Sequence, residues 1–230
     1  MKTIGLIGGT TWVSTLEYYR LINEETNKKL GGLSSAKCIL YSFNYAEIDK
    51  LNKAEDHEEI ARLIIDAAQK LEGASADCLV LCANTMHMYL DKLLKNTPLP
   101  IIHIADATAA EIKNHSLTQI GLLGTRWTME KDFYTKRLSD AGIETIVPGK
   151  PEREFIHKSI MEEFAKEIFL EETKSRFLDI INDLEKQGAQ GIGLGCTEIP
   201  LLIKQADTHL PVFNTLELHA KAAVDFAVEE

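Results

Sequence analysis

The sequence is short of positive charge, of cysteine and of long apolar runs, and each shortage excludes a class of protein. The 230 residues carry 25 Lys and Arg against 35 Asp and Glu, and the net charge of −10 argues against nucleic acid or an anionic membrane as main partner. No apolar run approaches the roughly 20 residues that span a bilayer, and the amino-terminal run is too short for a secretory signal. The four cysteines follow no disulfide or metal-ligand spacing. We therefore expect a reduced, cytoplasmic protein.

What is present is an alternation of short apolar strands and amphipathic helices. The 45% hydrophobic content is that of an ordinary globular protein, and the length suits one large domain or two small ones. The pattern predicts strands at 2–7, 36–43, 77–82, 100–104, 119–125, 144–147, 191–196 and 211–213, and a polar loop at 44–57. Because helical segments separate these strands, we expect an α/β protein with mainly parallel sheets and helices on both faces.

The second part of the chain repeats the first. The segment 119–125 repeats the pattern of 3–9, and 184–197 aligns on 71–84 without a gap. This duplication predicts two doubly wound α/β domains that are related by a pseudo-two-fold axis, with the active site in the cleft between them. We expect residues 1–104 plus 208–230 in the first domain and 105–207 in the second.

One cysteine stands at the end of a predicted strand. Cys196 closes the run Gly-Ile-Gly-Leu-Gly, and a helix is predicted to follow at once, with Thr197 as its N-cap and Pro200 in its first turn. A helix amino end favours the thiolate, so we expect the pKa of Cys196 to be lowered and the thiol to be reactive. The alternative is a buried structural cysteine.

Small polar residues follow the other predicted strands of both halves, and together they suit a carboxylate ligand. Each could be an ordinary helix cap or turn residue instead. The predicted substrate-binding residues are Gly9, Thr10, Thr11, Asn52, Ala83, Asn84, Thr85, Thr125, Thr197 and Glu198. Glu198 could orient a substrate amine or only favour the helix dipole. Cations that could contact a second carboxylate, or could be plain surface charges, are Lys50, Lys53, Arg126, Arg153 and Lys158.

Four stretches carry a resemblance that covers the whole chain. They are Met1–Gly9, Tyr18–Glu24, the Asn-Thr-Met-His of 84–87 and the Gly-Cys-Thr-Glu of 195–198. The sequence resembles the aspartate/glutamate racemase superfamily, and in particular its cofactor-independent branch of acidic or broad-specificity amino-acid racemases. The resemblance implies two Rossmann-like domains, a homodimer, a small amino-acid or dicarboxylate substrate, and inversion at the α-carbon without pyridoxal phosphate or metal. It also implies a two-base proton transfer with Cys196 as one acid/base.

The sequence departs from this family at the position of the first base. Two-cysteine members have a thiol immediately before Asn-Thr, where this chain has Ala83. Cys82 is one residue away, and since side chains alternate along a strand, we expect it to be buried and to face away from the site. The opposite acid/base is left open between Thr85, His87 and a bound water. Alternative functions are a single-thiol decarboxylase or isomerase of the same superfamily, or a catalytically weak homologue that binds a carboxylate.

Overall fold

The computed structural model describes residues 1–229, which form two compact units. The first comprises Met1–His103 together with the segment that starts at His219, and the second comprises Ile104–Leu218. The chain therefore passes from one unit to the other twice, once after His103 and once after Leu218. Within residues 1–229, no helix combines the length and the apolar content needed to cross a membrane.

The first unit is built on a parallel sheet of four strands. The strands are β1 (Ile4–Gly8), β2 (Cys38–Ser42), β3 (Cys78–Leu81) and β4 (Ile101–Ile102), in the order β2-β1-β3-β4. The helices are α1 (Trp12–Leu30), α2 (Tyr45–Lys53), α3 (His57–Gly73) and α4 (Leu90–Leu94), and a 3₁₀ turn at Asn84–Tyr89 precedes α4. The central strands β1 and β3 are buried along their whole length, which explains why their sequences are continuously apolar rather than alternating.

The second unit repeats this plan. Its strands are β5 (Gln119–Gly124), β6 (Glu144–Ile146), β7 (Ile192–Gly195) and β8 (Val212–Asn214), all parallel in the order β6-β5-β7-β8. The helices are α5 (Ile104–Asn114), α6 (Arg126–Glu130), α7 (Asp132–Asp140), α8 (Lys150–Glu162), α9 (Glu171–Lys186) and α10 (Ile199–Leu202). The last helix, α11 (Thr215–Val228), begins in the second unit and belongs to the first from His219 on. The predicted α/β class with two parallel sheets is confirmed.

Each sheet is covered by a helix whose apolar residues recur at helical spacing. In the first unit, α3 buries Ile60, Ile64 and Leu71 against β1 and β3. In the second unit, α9 buries Phe177, Ile181 and Leu184 against β5 and β7. These cores hold the carboxyl ends of the central strands in place, where ligands bind in open α/β sheets.

Two sequence-based expectations about the fold are corrected. The predicted polar loop at 44–57 contains the helix α2, whose N-cap Asn44 accepts a hydrogen bond from the Ala46 backbone, and which buries Ile48. The segment 208–218, expected in the first domain, belongs to the second unit, because β8 pairs with β7. Sequence spacing did not reveal which sheet edge the last strand would extend, since that depends on pairing between segments far apart in the chain.

Candidate active site

The predicted cysteine directly follows a glycine pair that joins two central strands of the second unit. Gly124 and Gly195 are paired neighbours in β5 and β7. A Cβ atom on Gly124 would stand 2.7 Å from the Gly195 carbonyl oxygen, and one on Gly195 would stand 3.0 Å from that of Leu123. Any side chain would push the strands apart. The next residues along the two strands, Thr125 and Cys196, are consequently neighbours at the carboxyl edge of the sheet.

The Cys196 thiol forms a buried hydrogen-bonded group with the two residues that follow it. Its Sγ donates to Glu198 Oε2 at 3.0 Å, and the Thr197 hydroxyl donates to the same oxygen at 2.9 Å. The three residues are only 6%, 3% and 4% exposed. One carboxylate oxygen thus accepts both hydrogen bonds, and the bond from Sγ holds the sulfur in a fixed position.

The pKa of Cys196 moves in the direction opposite to the one expected from the sequence. Burial first, and then the neighbouring Glu198 carboxylate, raise the pKa of the thiol well above its usual value. The backbone N–H groups of Glu198 and Ile199 do lower it, as predicted, but they are outweighed. The helix that follows is a single turn, α10, and Glu198 rather than Thr197 takes its N-cap position. Cys196 is therefore a neutral thiol that donates a hydrogen bond to the Glu198 carboxylate.

In the first unit, the turn after β1 is fixed by backbone packing. Gly9 has a φ of +84°, and a Cβ there would stand 2.3 Å from both the backbone N and O of Phe43. The Gly9 N–H donates to Thr15 Oγ1 at 2.9 Å, so this amide is already used within the protein. The Gly9 backbone therefore packs closely against Phe43, directly after β2. Thr11 caps α1, where it accepts from the Ser14 N–H.

Among the residues of this turn, Thr10 offers the hydroxyl best suited to a ligand. Its Oγ1 is buried and has no hydrogen-bond partner within the part of the chain that the structure describes. A buried hydroxyl without a partner costs free energy that a bound acceptor would recover. Asn52, also predicted in the site, lies near the end of α2 and is partly exposed.

The strand register identifies the counterpart of Cys196 in the first unit. Ile7 pairs with Leu81 in the first sheet, and Leu123, which takes the same place in β5 as Ile7 in β1, pairs with Leu194. Two residues after Leu81 and Leu194 stand Ala83 and Cys196, so these two residues occupy corresponding positions in the two units. Ala83 is extended and partly exposed, and begins the 3₁₀ turn. The first half-site therefore carries a methyl group where the second carries a thiol.

Cys82 is excluded from this position by its surroundings. The side chain is fully buried, and its Sγ lies 3.8 Å from the Val80 carbonyl oxygen, to which it donates. Burial raises the pKa of this thiol far above its ordinary range. Asn84 and Thr85, which follow Ala83, occupy the start of the 3₁₀ turn, with Asn84 buried and Thr85 partly exposed. The expectation that Cys82 is a buried, inward-facing residue agrees with this arrangement.

The candidate cations differ in whether their charge is already paired. Lys53 binds Asp49 at 2.6 Å, Arg153 binds Glu130 at 3.0 Å and also donates to the Pro148 carbonyl, and Lys158 lies 3.7 Å from Glu162. Arg126 follows Thr125 directly, is exposed, and rests over the ring of Trp127 at 5.3 Å. It has no ion pair among residues 1–229, so its charge is available to a ligand near Thr125.

Comparison with known proteins assigns the chain to a family. The family model described as Asp/Glu/hydantoin racemase matches residues 7–223. The chain belongs to the Asp/Glu/hydantoin racemase family. One similar solved structure is that of a protein from Yersinia pestis described as a putative Asp/Glu racemase. It is 46% identical to this chain, with full coverage of both chains and a TM-score of 0.92. An aspartate racemase homologue from Pyrococcus horikoshii OT3 is 36% identical, again with full coverage of both, and has a TM-score of 0.86.

A curated relative extends the comparison to a named activity. The broad-specificity amino-acid racemase RacX of Bacillus subtilis is 25% identical over 177 residues, which cover 74% of this chain and 73% of the relative. The predicted family and enzyme class are thus confirmed: the chain is an amino-acid racemase by family, and hence an isomerase. Within residues 1–229 of this racemase, no group of three or more His, Cys, Asp or Glu side chains is arranged to hold a metal ion.

Sequence reasoning missed three supporting features of this racemase. Glu198 was considered only as a substrate or dipole partner, although a carboxylate two residues after a thiol could have suggested a hydrogen bond. Thr15 and Thr128 each face the glycine that ends a central strand, and a Cβ on that glycine would collide with them. A group of buried imidazoles in the first unit gave no sequence signal, because its members come from distant segments.

Proposed function

We propose that the protein racemises aspartate or glutamate without pyridoxal phosphate or metal, and that Cys196 is one of its acid/base groups. The observation that carries the proposal is the thiol–carboxylate pair, with Cys196 Sγ 3.0 Å from Glu198 Oε2 at the end of a central strand. Family membership supports the reaction class. The relatives support the substrate class, since they include an aspartate racemase homologue, a broad-specificity amino-acid racemase and a glutamate racemase.

The pair suits a proton transfer in either direction. As an acid, the Cys196 thiol gives its proton to the carbanionic α-carbon, and the thiolate that forms accepts a proton from solvent. As a base, the thiol first passes its proton to the Glu198 carboxylate, and the thiolate then takes the α-proton while the C–H electron pair moves toward the substrate carboxylate. The raised pKa of Cys196 makes the thiolate a strong base once it forms.

The substrate carboxylate needs donors where negative charge develops. We propose that the hydroxyls of Thr10 and Thr125 and the amide of Asn84 supply them, with Gly9, Thr11, Ala83, Thr85 and Thr197 shaping the same binding site and Asn52 at its rim. Donors fixed in a dry site stabilise a developing anion far better than they would in water.

The unpaired charge of Arg126 favours a substrate with an acidic side chain. It is the cation next to Thr125, and it has no ion pair in the described part of the chain. A guanidinium matches a carboxylate with two parallel hydrogen bonds. An uncharged side chain could not form these two hydrogen bonds with the guanidinium. Aspartate and glutamate are therefore the proposed substrates rather than apolar amino acids.

Proton NMR in D₂O tests this function. Each enantiomer of aspartate and glutamate is incubated with the protein, and the α-proton signal and the mirror-image product are followed. The proposal expects α-deuteration together with inversion, and expects Cys196→Ser to lose inversion. Cys38→Ser, which removes a half-buried thiol from β2, is the matched control and is expected to keep it. Absence of exchange with every amino acid would contradict the racemase proposal.

A second candidate function is favoured by one observation, the methyl group of Ala83 at the position of the first unit that corresponds to Cys196 in the second. A protein with one acid/base would protonate a single face, as a decarboxylase or a one-sided isomerase would. Exchange of the α-proton without inversion in the same NMR experiment would support this candidate, or a carboxylate-binding homologue with residual activity, over the racemase.

We also infer a cytoplasmic homodimer. The four cysteines are all unpaired, in keeping with a reducing compartment. Trp12, Leu16 and Tyr19 lie on one face of α1 and are all more than half exposed, which is unusual for large apolar side chains. A second copy of the chain is the proposed partner of this face. Sedimentation should show a dimer that Leu16→Glu dissociates, whereas the matched change at exposed Leu94 leaves it intact.

A further inference from the structure

Two neighbouring helices of the second unit, α6 and α8, are joined by polar contacts just after Thr125. Arg126 and Glu130 lie about one turn apart on α6, and α8 carries Arg153 and His157 at the same spacing. Glu130 Oε1 binds Arg153 Nε at 3.0 Å. The backbone N–H of Arg126 donates to His157 Nδ1 at 3.4 Å. The helices are thus linked by two pairs of residues, Glu130 with Arg153 and Arg126 with His157.

The two pairs differ in charge. Arg153 and Glu130 neutralise each other, and Arg153 also donates to the Pro148 carbonyl oxygen at 2.7 Å. The Arg126 guanidinium, in contrast, has no ion pair among residues 1–229. The pair of Arg126 and His157 is therefore positive in a protein whose net charge is −10. A local positive charge of this kind attracts an anionic ligand.

The His157 ring has one nitrogen that a ligand could use. Because Nδ1 accepts from a backbone N–H, the neutral ring carries its proton on Nε2. Within the described chain, this Nε2–H donates to no acceptor. Burial first, and the Arg126 guanidinium second, lower the pKa of His157, while Glu130 raises it. The ring is therefore neutral near pH 7, and its Nε2–H is an unused donor.

The indole of Trp127 contacts both members of the positive pair. The Arg126 guanidinium carbon lies 5.3 Å from the centre of the Trp127 ring. The His157 ring stands perpendicular to the same indole, with 5.2 Å between the ring centroids. A side chain that already rests on a rigid ring has less freedom to lose when it binds a ligand. The guanidinium and the imidazole are thus held near each other beside Thr125, whose hydroxyl is proposed to bind the substrate.

We propose that His157 acts with Arg126 to hold the side-chain carboxylate of an acidic substrate, and that it is a specificity-determining residue. This inference rests on the proposed racemase function and deepens its substrate assignment. A carboxylate has two oxygens, so the guanidinium and the Nε2–H can each donate to it. Its negative charge also neutralises the pair that the protein leaves positive. His157 transfers no proton in this role.

Two substitutions separate the donor at Nε2 from the acceptor at Nδ1. In His157→Asn the side-chain oxygen can still accept from the Arg126 N–H, but the donor at the place of Nε2 is lost. In His157→Gln the amide NH₂ group reaches the place of Nε2, so a donor is kept. We expect His157→Asn to raise KM for aspartate and glutamate roughly tenfold with kcat changed less than about twofold, and His157→Gln to raise KM much less. His115→Asn, the same change at an exposed histidine of α5, should alter neither constant.

The outcomes separate this inference from the function on which it rests. A wild-type protein that exchanges no amino acid in D₂O overturns the racemase function. A wild type that inverts aspartate, combined with an unaltered KM in His157→Asn, overturns the role of His157 alone. If only His157→Gln raised KM, the ring would serve merely as the acceptor that caps α6, and the inference would be wrong.

A proton NMR titration of the imidazole gives a readout that does not depend on turnover, and it decides the case in which both variants raise KM. The C2 proton of His157 is identified by its loss in either variant. It is followed against pH in the free protein and with racemic aspartate, whose composition the reaction leaves unchanged. A carboxylate beside the ring stabilises the imidazolium, so aspartate should raise the pKa of His157 by about 1. Racemic alanine, which has no second carboxylate, should leave it unchanged.

The surroundings of the ring make this change interpretable. The charged groups that face His157 are Arg126 and Glu130 of α6, with Arg153 one turn away on α8. The bond at Nδ1 is lost on protonation with and without the ligand, so it cancels from the comparison. A pKa that rises with aspartate in the wild type but not in Arg126→Gln supports the inference. A pKa that saturating aspartate leaves unchanged in a wild type that inverts this substrate overturns it.

Discussion

Gly9 offers a sharp test of how the turn after β1 is built. A Cβ at this position would stand 2.3 Å from the backbone N and O of Phe43. The obstructing atoms are backbone atoms, and they cannot turn aside as a flexible side chain could. The φ of +84° adds the cost that any L side chain has in the left-handed region. Gly9→Ala should therefore suffer both a conformational penalty and a collision.

The matched control is Gly142, which has almost the same backbone conformation and open space around it. Its φ is +81°, and nothing lies within 4 Å of a Cβ placed there. Gly142→Ala should lose only the conformational part, about 1 to 2 kcal/mol of unfolding free energy. Gly9→Ala adds overpacking against rigid atoms, so its loss should be about 3 kcal/mol or more.

Urea denaturation measures both variants. The fluorescence of each of the two tryptophans reports the unfolding of one unit, since Trp12 belongs to the first unit and Trp127 to the second. Fluorescence of Trp12 in a Trp127→Phe background should show an early transition for Gly9→Ala. Trp127 reports the Gly142 variant in the same way, in a Trp12→Phe background. Equal shifts of the two midpoints from their wild-type values would refute the reasoning, because the backbone collision would then have no measurable cost.

Three further predictions follow from charges and burial. Glu198→Gln removes the carboxylate that disfavours the thiolate of Cys196, so iodoacetamide should alkylate Cys196 at least about tenfold faster at pH 8, and an unchanged rate would contradict the role of that charge. Arg126→Gln should raise KM for aspartate roughly tenfold and leave neutral amino acids unaffected, whereas Lys158→Gln should change neither. His219, with a pKa lowered to about 4 in the folded state against about 6.5 when unfolded, stays neutral as the unfolded chain takes up a proton. Stability should therefore fall by roughly 3 kcal/mol between about pH 6.5 and 4, and His219→Gln should show a shallower fall in urea melts across that range.

Much of the candidate site could be predicted from the sequence because it depends on local pattern. Alternation along a strand set Cys82 and Ala83 on opposite sides, and the internal repeat matched Ala83 with Cys196. The strand register leads to the same pairing. The direction of the pKa of Cys196 could not be predicted in this way, since it is a balance between local N–H groups and the surrounding burial.

The sequence by itself determined the α/β class, the repeated strand plan and the position of the thiol at a strand end, because all three follow from the periodicity of apolar residues over short stretches. Only the tertiary structure decided that β8 joins the second sheet, that 45–53 is helical, and that His87, His103 and His219 come together. The physical reason is that strand pairing, desolvation and ring contacts depend on neighbours that come from distant segments of the chain. A local sequence pattern does not indicate which segments will become neighbours.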